Sequence, residues 1–351
     1  MHYRKRRPAA GFNRQVASRT LAWLALAISL SAGVQAAAET VASETPTEAA
    51  SRIPLWPDGL APADVALADA QRIVERSRDP SLPDRAMTRI SQPYLVVYRP
   101  ASPNGAALLV TPGGGYARVV LDKEGSALVP AFVDHGGYTL FVLRYRLPGE
   151  GHPQAADVPL ADAQRAMRLV RAHAAEFAID PRRIGVMGFS AGGHVAASLA
   201  TRFDESVYPA VDDSDALSAR PDLQLLIYPV IGMDPSIAHP GSRTQLLGNH
   251  PDAAQESRYS PQRHVGRQTP PAFLLHAQDD EVVPVANTQA YLQALLQAQV
   301  PVEAHIFPVG GHGFGVRGIA DSPLRAWPRL AMDWMQWQFQ QNTKTDTGAA
   351  R

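Results

Sequence analysis

The chain has 351 residues, with 33 basic and 33 acidic side chains, a formal net charge of zero at pH 7 and no cysteine. This balance argues against nucleic acid or an anionic surface as a partner, and the lack of cysteine excludes disulfides and lipidated cysteines. With 45% hydrophobic residues, the chain is long enough to bury one large core.

Residues 1–38 have the order of features found in a secretory signal peptide. Residues 4–7 are basic, residues 21–30 are apolar, and residues 34–38 offer small side chains for cleavage. The alternative is an uncleaved anchor, but about ten apolar residues are short for spanning a bilayer. We therefore expect cleavage and a periplasmic or secreted protein. The polar residues 39–51 predict a linker.

A glycine-rich loop follows the second of two predicted strands. Residues 93–99 and 106–110 predict these strands, and the sequence TPGGGY occupies residues 111–116. Three consecutive glycines let the backbone approach a ligand, as donors to an oxyanion must. The alternatives are a flexible turn or a phosphate-binding loop. A phosphate loop would need a Lys-Ser/Thr pair directly after the glycines, which residues 116–118 lack.

The sequence GFSAG at residues 188–192 is the strongest catalytic signal in the chain. It is preceded by a predicted strand (138–144), a predicted helix (157–177) and a short apolar strand (183–187). It is followed by a predicted helix at 191–200. A serine at such a strand-to-helix turn has a strained backbone and an accessible hydroxyl. The pattern predicts Ser190 as a nucleophile, the alternative being a structural Gly-Ser turn.

Residues 223–228 predict a further strand, and the alternation of strands and helices predicts a mostly parallel sheet covered on both faces. Residues 231–269 are rich in Pro, His, Ser and Gln and interrupt this alternation. We expect them to form a small cap beside the site.

Three consecutive acids follow the strand predicted at 273–276. One of Asp279, Asp280 and Glu281 would orient a catalytic imidazole. They could instead form a solvated turn before a helix at Pro284, where negative charge is favourable.

Eleven histidines compete for the role of base. His312 stands in a glycine-rich loop after the strand predicted at 302–307, where it could reach a serine and act as general base and then general acid. We expect structural roles for His194, His276 and His305. The remaining histidines, His239 among them, fall outside any motif.

Near the C-terminus, Leu330, Trp334 and Trp337 share one helical face and predict core positions. Residues 342–351 predict a frayed tail.

The order glycine loop, Ser, Asp, His resembles the α/β-hydrolase superfamily, and more narrowly the secreted esterases of the acetylxylan esterase or xylanase-associated type. The resemblance covers roughly residues 53–340. It implies an α/β-hydrolase fold in a catalytic domain at 52–341. The motifs that carry it are residues 53–57, 112–116, 122–125, 145–148, 179–184 and 188–194.

The resemblance also implies roles for individual residues. Asp280 is the expected triad acid, because in the family's pattern the acid precedes two residues and then Val-Pro. The expected oxyanion donors are the N–H of Ala191 with that of Gly114 or Gly115, and Pro112 stands where these esterases usually have His.

The activity implied is hydrolysis of short-acyl, above all acetyl, esters of carbohydrates such as xylan through an acyl-serine, with no cofactor or metal. The expected partner is a small-molecule or oligosaccharide ester, without nucleic acid or stable membrane insertion. The alternatives are a short-chain lipase, a prolyl-oligopeptidase-like peptidase and a catalytically silent binding domain. A peptidase of that type would usually carry a propeller domain, for which the chain has no room. The intact Ser190, Asp280 and His312 argue against a silent domain.

Overall fold

The computed structural model describes residues 40–349 except 63, 65, 66 and 68, so the predicted leader lies outside the described residues. The described strands are β1 (Thr40–Val41), β2 (Arg52–Pro54), β3 (Arg72–Glu75), β4 (Arg85–Thr88), β5 (Tyr94–Tyr98), β6 (Ala107–Thr111), β7 (Val119–Val120), β8 (Thr139–Arg144), β9 (Ile184–Phe189), β10 (Gln224–Ile227), β11 (Ala272–Ala277) and β12 (Val302–Phe307). The described α-helices are α1 (Pro46–Ala50), α2 (Val158–Ala172), α3 (Ser190–Thr201), α4 (Pro240–Leu247), α5 (Ala253–Arg258), α6 (Ala286–Gln297) and α7 (Trp327–Ala349).

The larger sheet has the strand order β12-β11-β10-β9-β6-β8-β5-β2. Neighbouring strands from β12 to β8 run parallel, and β5 and β2 are antiparallel to their neighbours. The strands at its centre are continuous apolar runs because helices cover both faces of a parallel sheet. The mostly parallel sheet predicted from the sequence is therefore present.

Strand β6 illustrates how the sheet separates two layers of core. Leu108 and Val110 pack in a cluster with Phe132 of the π-helical segment Val129–His135 and with Trp327 of α7. Leu109 points to the opposite face and packs in the cluster that contains α2, α3 and α6. Side chains alternate between faces along a strand, so one short run contributes to both layers.

A second, antiparallel sheet has the order β1-β3-β4-β7. Strand β7 begins three residues after the glycine-rich loop ends at Tyr116, so this small sheet continues directly from that loop.

Residues 39–51, which the composition predicts as a linker, instead carry β1 and α1. Thr45 caps α1, and Glu48 within it is only 2% exposed. The Glu48 carboxylate pairs with Arg85 at 2.8 Å and lies 3.8 Å from the guanidinium of Arg144, which is fully buried. Buried guanidinium groups need a compensating carboxylate, so this polar segment is part of the packed domain.

Helix α7 packs against the sheet, but Trp337 does not belong to its core face. Trp334 is buried and Leu330 partly buried, as predicted, whereas Trp337 is 54% exposed. The buried stripe of α7 consists of Trp327, Ala331, Trp334, Met335, Gln338 and Phe339.

The helical backbone of α7 continues to Ala349, so it includes most of the residues predicted as a frayed tail from residue 342. A helix that is packed along its earlier turns can propagate past them. In the described part of the chain, none of the helices combines the length and the apolar character needed to cross a membrane.

Candidate active site

The predicted catalytic residues lie at the carboxyl edge of the parallel strands. The glycine loop (residues 112–116) follows β6, Ser190 follows β9, Asp280 follows β11 and His312 follows β12. Parallel strands end at the same edge, and ligands in open α/β sheets bind in the crevice outside those ends. The strand order therefore brings together side chains that are far apart in sequence.

Ser190, His312 and Asp280 form one continuous chain of hydrogen bonds. The distance from Ser190 Oγ to His312 Nε2 is 2.8 Å, and the distance from His312 Nδ1 to Asp280 Oδ2 is 2.7 Å. An ionised carboxylate only accepts hydrogen bonds, so Nδ1 carries the proton and Nε2 accepts from the serine hydroxyl. In this arrangement the imidazole can remove the proton from Oγ as the serine attacks an electrophile.

The backbone at Ser190 is strained. Ser190 is the first residue of α3 and has a φ of 51°, in the left-handed region that side chains rarely adopt. Such strain persists only where the surroundings enforce it, and it is typical of a nucleophile at a strand-to-helix turn.

Close packing of the glycine loop against α3 explains the glycine at position 192. A Cβ atom added at Gly192 would lie 2.0 Å from the carbonyl oxygen of Thr111, which is a clash with backbone. Likewise, a Cβ at Gly113 would lie 2.9 Å from the Cβ of Ser190. The loop therefore approaches the serine closely only because these side chains are absent.

The predicted oxyanion donors are available for a ligand. Gly114 and Gly115 have φ values of 133° and 67°. Within the described residues, neither of their N–H groups donates a hydrogen bond, whereas the N–H of Gly113 donates to Glu124 Oε2 at 2.7 Å. The N–H of Ala191 lies in the first turn of α3, where a helix offers it no acceptor.

The Asp280 carboxylate receives four hydrogen bonds. Its Oδ2 accepts from His312 and, at 3.2 Å, from Nε2 of His276, while its Oδ1 accepts from the N–H groups of Val282 and Val283 at 2.9 and 2.8 Å. Burial disfavours its charge, but these donors and the charge of His312 outweigh burial and hold the pKa of Asp280 well below its usual range. Asp280 is therefore ionised at neutral pH.

The two neighbouring acids point elsewhere. Asp279 Oδ1 accepts the N–H of Gly311 at 2.8 Å and so holds the loop that carries His312. Glu281 is exposed. Of the three consecutive acids, the structure brings Asp280 to the imidazole.

His276 donates a second side-chain hydrogen bond to Asp280. Its ring is fully buried, with Nε2 at 3.0 Å from the carbonyl oxygen of Val283 and Nδ1 at 2.7 Å from Thr288 Oγ1. The carbonyl oxygen can only accept, so Nε2 carries the proton and is shared between Val283 and Asp280. Sequence reasoning gave His276 only a structural role, although its place at the carboxyl end of β11 pointed toward the site.

A buried carboxylate connects the glycine loop to the histidine loop. Glu124 accepts from Gly113 through one oxygen and from the Tyr228 hydroxyl, at 3.0 Å, through the other. That hydroxyl in turn accepts the N–H of Gly315 at 2.9 Å, and the Tyr228 ring meets the His312 ring edge-on at 5.0 Å between centroids. We call this set the Glu124–Tyr228 bridge. The sequence did not predict this bridge, although residues 122–125 are among the motifs that carry the family resemblance and Tyr228 directly follows β10.

His194 has a structural role, as predicted, because both of its ring nitrogens form hydrogen bonds. Its Nδ1 lies 2.7 Å from the Tyr116 hydroxyl and its Nε2 lies 2.7 Å from the carbonyl oxygen of Tyr259. Burial lowers the pKa of His194 to about 4, with a smaller contribution from the charge of Arg202, although the hydrogen bond to the Tyr259 carbonyl opposes this. It is a neutral link between the glycine loop and the segment after α5.

Comparison with known proteins finds relatives across most of this domain. The sequence model of the BD-FAE family matches residues 95–295, more than half of the chain and a range that includes Ser190 and Asp280. An acetylxylan esterase from Xylanibacter ruminicola is 35% identical over 225 residues, which are 63% of this chain and 43% of the relative. Endo-1,4-beta-xylanase B from Butyrivibrio fibrisolvens is 36% identical over 209 residues, which are 60% of this chain and 32% of the relative.

Among solved structures, the acetyl ester-xyloside bifunctional hydrolase from Caldicellulosiruptor lactoaceticus is similar, with a TM-score of 0.67 and 37% identity over 82% of this chain and 95% of that one. The chain spans less than half the length of the two curated relatives named above.

Proposed function

This chain belongs to the BD-FAE family and is an α/β-hydrolase similar to acetylxylan esterase, and we propose that it hydrolyses short-acyl esters of carbohydrates through an acyl-serine. The family match and the similar fold confirm the resemblance and the fold class predicted from the sequence. The observation that carries the proposal is the hydrogen-bonded chain from Ser190 through His312 to Asp280, beside the N–H groups of Gly114 and Gly115, which donate no hydrogen bond within the described residues.

In the proposed acylation step, Ser190 Oγ attacks the carbonyl carbon of the ester and its proton moves to His312 Nε2. The carbonyl oxygen becomes an oxyanion, which accepts from the N–H of Ala191 and that of Gly114 or Gly115. Collapse of this intermediate breaks the bond to the alcohol oxygen, which takes the proton from His312 and leaves as the free alcohol.

In the proposed deacylation step, a water molecule takes the place of the alcohol. His312 removes a proton from it as its oxygen attacks the acyl carbon, and then returns the proton to Ser190 Oγ as the carboxylic acid departs. Throughout both steps Asp280 holds the imidazole tautomer and stabilises the imidazolium.

The preference for acetyl groups on xylan draws on the relatives rather than on the geometry. The Xylanibacter relative is named an acetylxylan esterase and the Caldicellulosiruptor structure an acetyl ester-xyloside hydrolase. This is the reason to propose acetylated xylan fragments as the substrate of this chain.

Labelling with a fluorophosphonate tests the mechanism. We expect one phosphonyl group on Ser190 by peptide mass spectrometry, no labelling of Ser190→Ala, and a kcat lower by several orders of magnitude in that variant. Ser198→Ala is the matched control, since Ser198 is a buried serine on the same helix. Full labelling of Ser190→Ala would refute the assignment. Release of acetate from acetylated xylan by wild type, and none by Ser190→Ala, tests the substrate.

We also propose export with cleavage of the leader, on the charged, apolar and small-residue regions of residues 1–38. Mass spectrometry of the protein from the periplasm or medium should find a first residue between Ala37 and Thr40. An intact Met1 on active, membrane-bound protein would instead indicate an anchor.

A further inference from the structure

His239 lies in the segment between β10 and β11, where the sequence suggested no role for it. It caps the N-terminus of α4, and its Nδ1 accepts the N–H of Ser242 at 3.2 Å and lies 2.8 Å from the Ser242 hydroxyl. A ring nitrogen that accepts a backbone N–H carries a lone pair, so the proton of the neutral ring is on Nε2. Capping therefore fixes the tautomer of His239.

The ring of His239 lies next to the glycine loop. Its Cε1 lies 3.7 Å from the position that a Cβ on Gly115 would occupy, which places the ring next to the glycine loop. It also lies close enough to His312 and Asp280 to feel their charges. The ring is half-buried, and among the described residues no group accepts a hydrogen bond from Nε2.

The N–H at Nε2 of His239 belongs to a neutral ring. Burial, followed by the positive charge that His312 can carry, lowers the pKa of His239, and Asp280 opposes this only in part. The ring therefore offers a neutral N–H near pH 7, which suits a hydroxyl or ether oxygen better than an anion.

We propose that Nε2 of His239 binds a hydroxyl group on the alcohol part of the substrate, adjacent to the ester, and so selects esters of polyols and sugars over esters of simple alcohols. This inference rests on the proposed esterase function and adds a subsite to it. In the proposed mechanism the backbone donors hold the carbonyl oxygen and His312 faces the alcohol oxygen. A hydroxyl on the next carbon is then the acceptor within reach of a donor beside Gly115 and His312. An alcohol without this hydroxyl would leave the half-buried N–H unpaired, and sites of this kind discriminate against such analogues.

Two variants separate the subsite from the helix cap. Asn is a good N-cap residue and can replace Nδ1 toward Ser242, but its side chain is too short to place a donor where Nε2 lies. Gln places an amide N–H near the Nε2 position but caps poorly. The measurement is the ratio of kcat/KM for 2-hydroxyethyl acetate to that for ethyl acetate, compared between each variant and wild type so that intrinsic reactivity cancels.

We expect His239→Asn to lower this ratio by roughly three- to tenfold, the worth of one neutral hydrogen bond, and His239→Gln to retain most of it. An unchanged ratio in His239→Asn would overturn the proposal. The proposal would also be overturned if His239→Gln lost kcat/KM equally on both esters while His239→Asn kept full activity. That result would show that His239 acts only as a helix cap.

Acetylated xylan distinguishes failure of the subsite from failure of the proposed function. If wild type hydrolyses the two simple acetates but not acetylated xylan, and the two His239 variants change the kcat/KM ratio as expected, the hydroxyl subsite stands and the xylan assignment falls. If wild type hydrolyses none of the three, the esterase function fails and the subsite falls with it.

Discussion

Replacing Asp280 by Asn should disable the site by changing the protonation of His312 rather than by moving it. The N–H groups of Val282 and Val283 would hold the amide oxygen in the Oδ1 position, at the 2.9 and 2.8 Å distances seen for the carboxylate. The amide NH₂ would then occupy the Oδ2 position, where it faces the N–H groups of His312 and His276. Two donors cannot share a hydrogen bond, so the His312 ring should adopt the tautomer with its proton on Nε2.

In that tautomer Nε2 cannot accept the proton of Ser190. The expected loss is about 10⁴-fold in kcat with KM little changed, which corresponds to about 5.4 kcal/mol at 1.36 kcal/mol per tenfold. The free energy of unfolding should fall by only about 1–3 kcal/mol, because His276 keeps its hydrogen bond to Val283.

The assay is steady-state hydrolysis of p-nitrophenyl acetate by Asp280→Asn and Asp279→Asn, with urea unfolding of both. Asp279→Asn is the matched control: its amide oxygen can still accept the N–H of Gly311, so it should lose far less activity. The reasoning would be refuted if Asp280→Asn kept more than a tenth of kcat, or if Asp279→Asn proved the more damaging substitution.

Three further predictions concern the supports of the site and its substrate. Glu124→Gln turns an amide NH₂ toward either the Gly113 N–H or the Tyr228 hydroxyl, so it should lower kcat, and it should lower the free energy of unfolding by about 1.5–3 kcal/mol. Tyr228→Phe keeps the hydrogen bond between Gly113 and Glu124, so its losses should be smaller, as measured by stopped assays and urea unfolding. Equal effects of the two substitutions would contradict the bridge. Glu48→Gln should lower the free energy of unfolding in chemical denaturation by about 1–3 kcal/mol, because it leaves the buried Arg144 without its carboxylate while Arg85 keeps its ion pair with Asp122. Burial raises the pKa of Glu48, but Arg85, the N–H of Thr45 and Arg144 outweigh it and lower the pKa from 4.5 to about 2; wild type should thus lose this stabilisation as pH falls from about 4.5 toward 2, and a variant with the same acid sensitivity would argue against it. Finally, kcat/KM should fall from acetyl to octanoyl p-nitrophenyl esters, and a maximum at octanoyl would point to a lipase.

The sequence was sufficient for seven of the eight strands of the larger sheet, all but β2, and for the grouping of Ser190, Asp280 and His312. Strand β9 is an uninterrupted apolar run and β11 is apolar except for His276, whereas β12 also contains Glu303 and His305. All three are followed within a few residues by glycine or polar residues that signal a change of direction. Their parallel arrangement then sets the catalytic loops at one edge. Local pattern and global fold agree at these positions.

The features that escaped prediction depend on partners distant in sequence. Glu48 looks like part of a solvated linker until Arg85, 37 residues later, is placed against it. Strands β3 and β4 have four residues each and contain charged side chains, and β7 has only two residues, so no hydrophobic period marks these strands. The direction of the His239 ring depends on where α4 packs, which no local pattern encodes. Trp337 was misplaced because spacing alone does not fix the centre of a buried helical stripe.

The Glu124–Tyr228 bridge has a consequence for how substrate range can change in this protein. It joins the glycine loop and the histidine loop into a single unit through hydrogen bonds, so we expect a substitution that shifts either loop to change the geometry of both. Apart from Tyr259, which His194 connects to the glycine loop, the segment carrying His239 is held from outside this unit, through Asn287 to Ile231 and Gly232 and through Ser260 to Met233. Changes in that segment can therefore alter which alcohol is accepted while the bond-breaking geometry stays intact. Diversity of substrate should accumulate there in laboratory evolution, and libraries directed at residues 231–269 should yield more active variants than libraries directed at either loop.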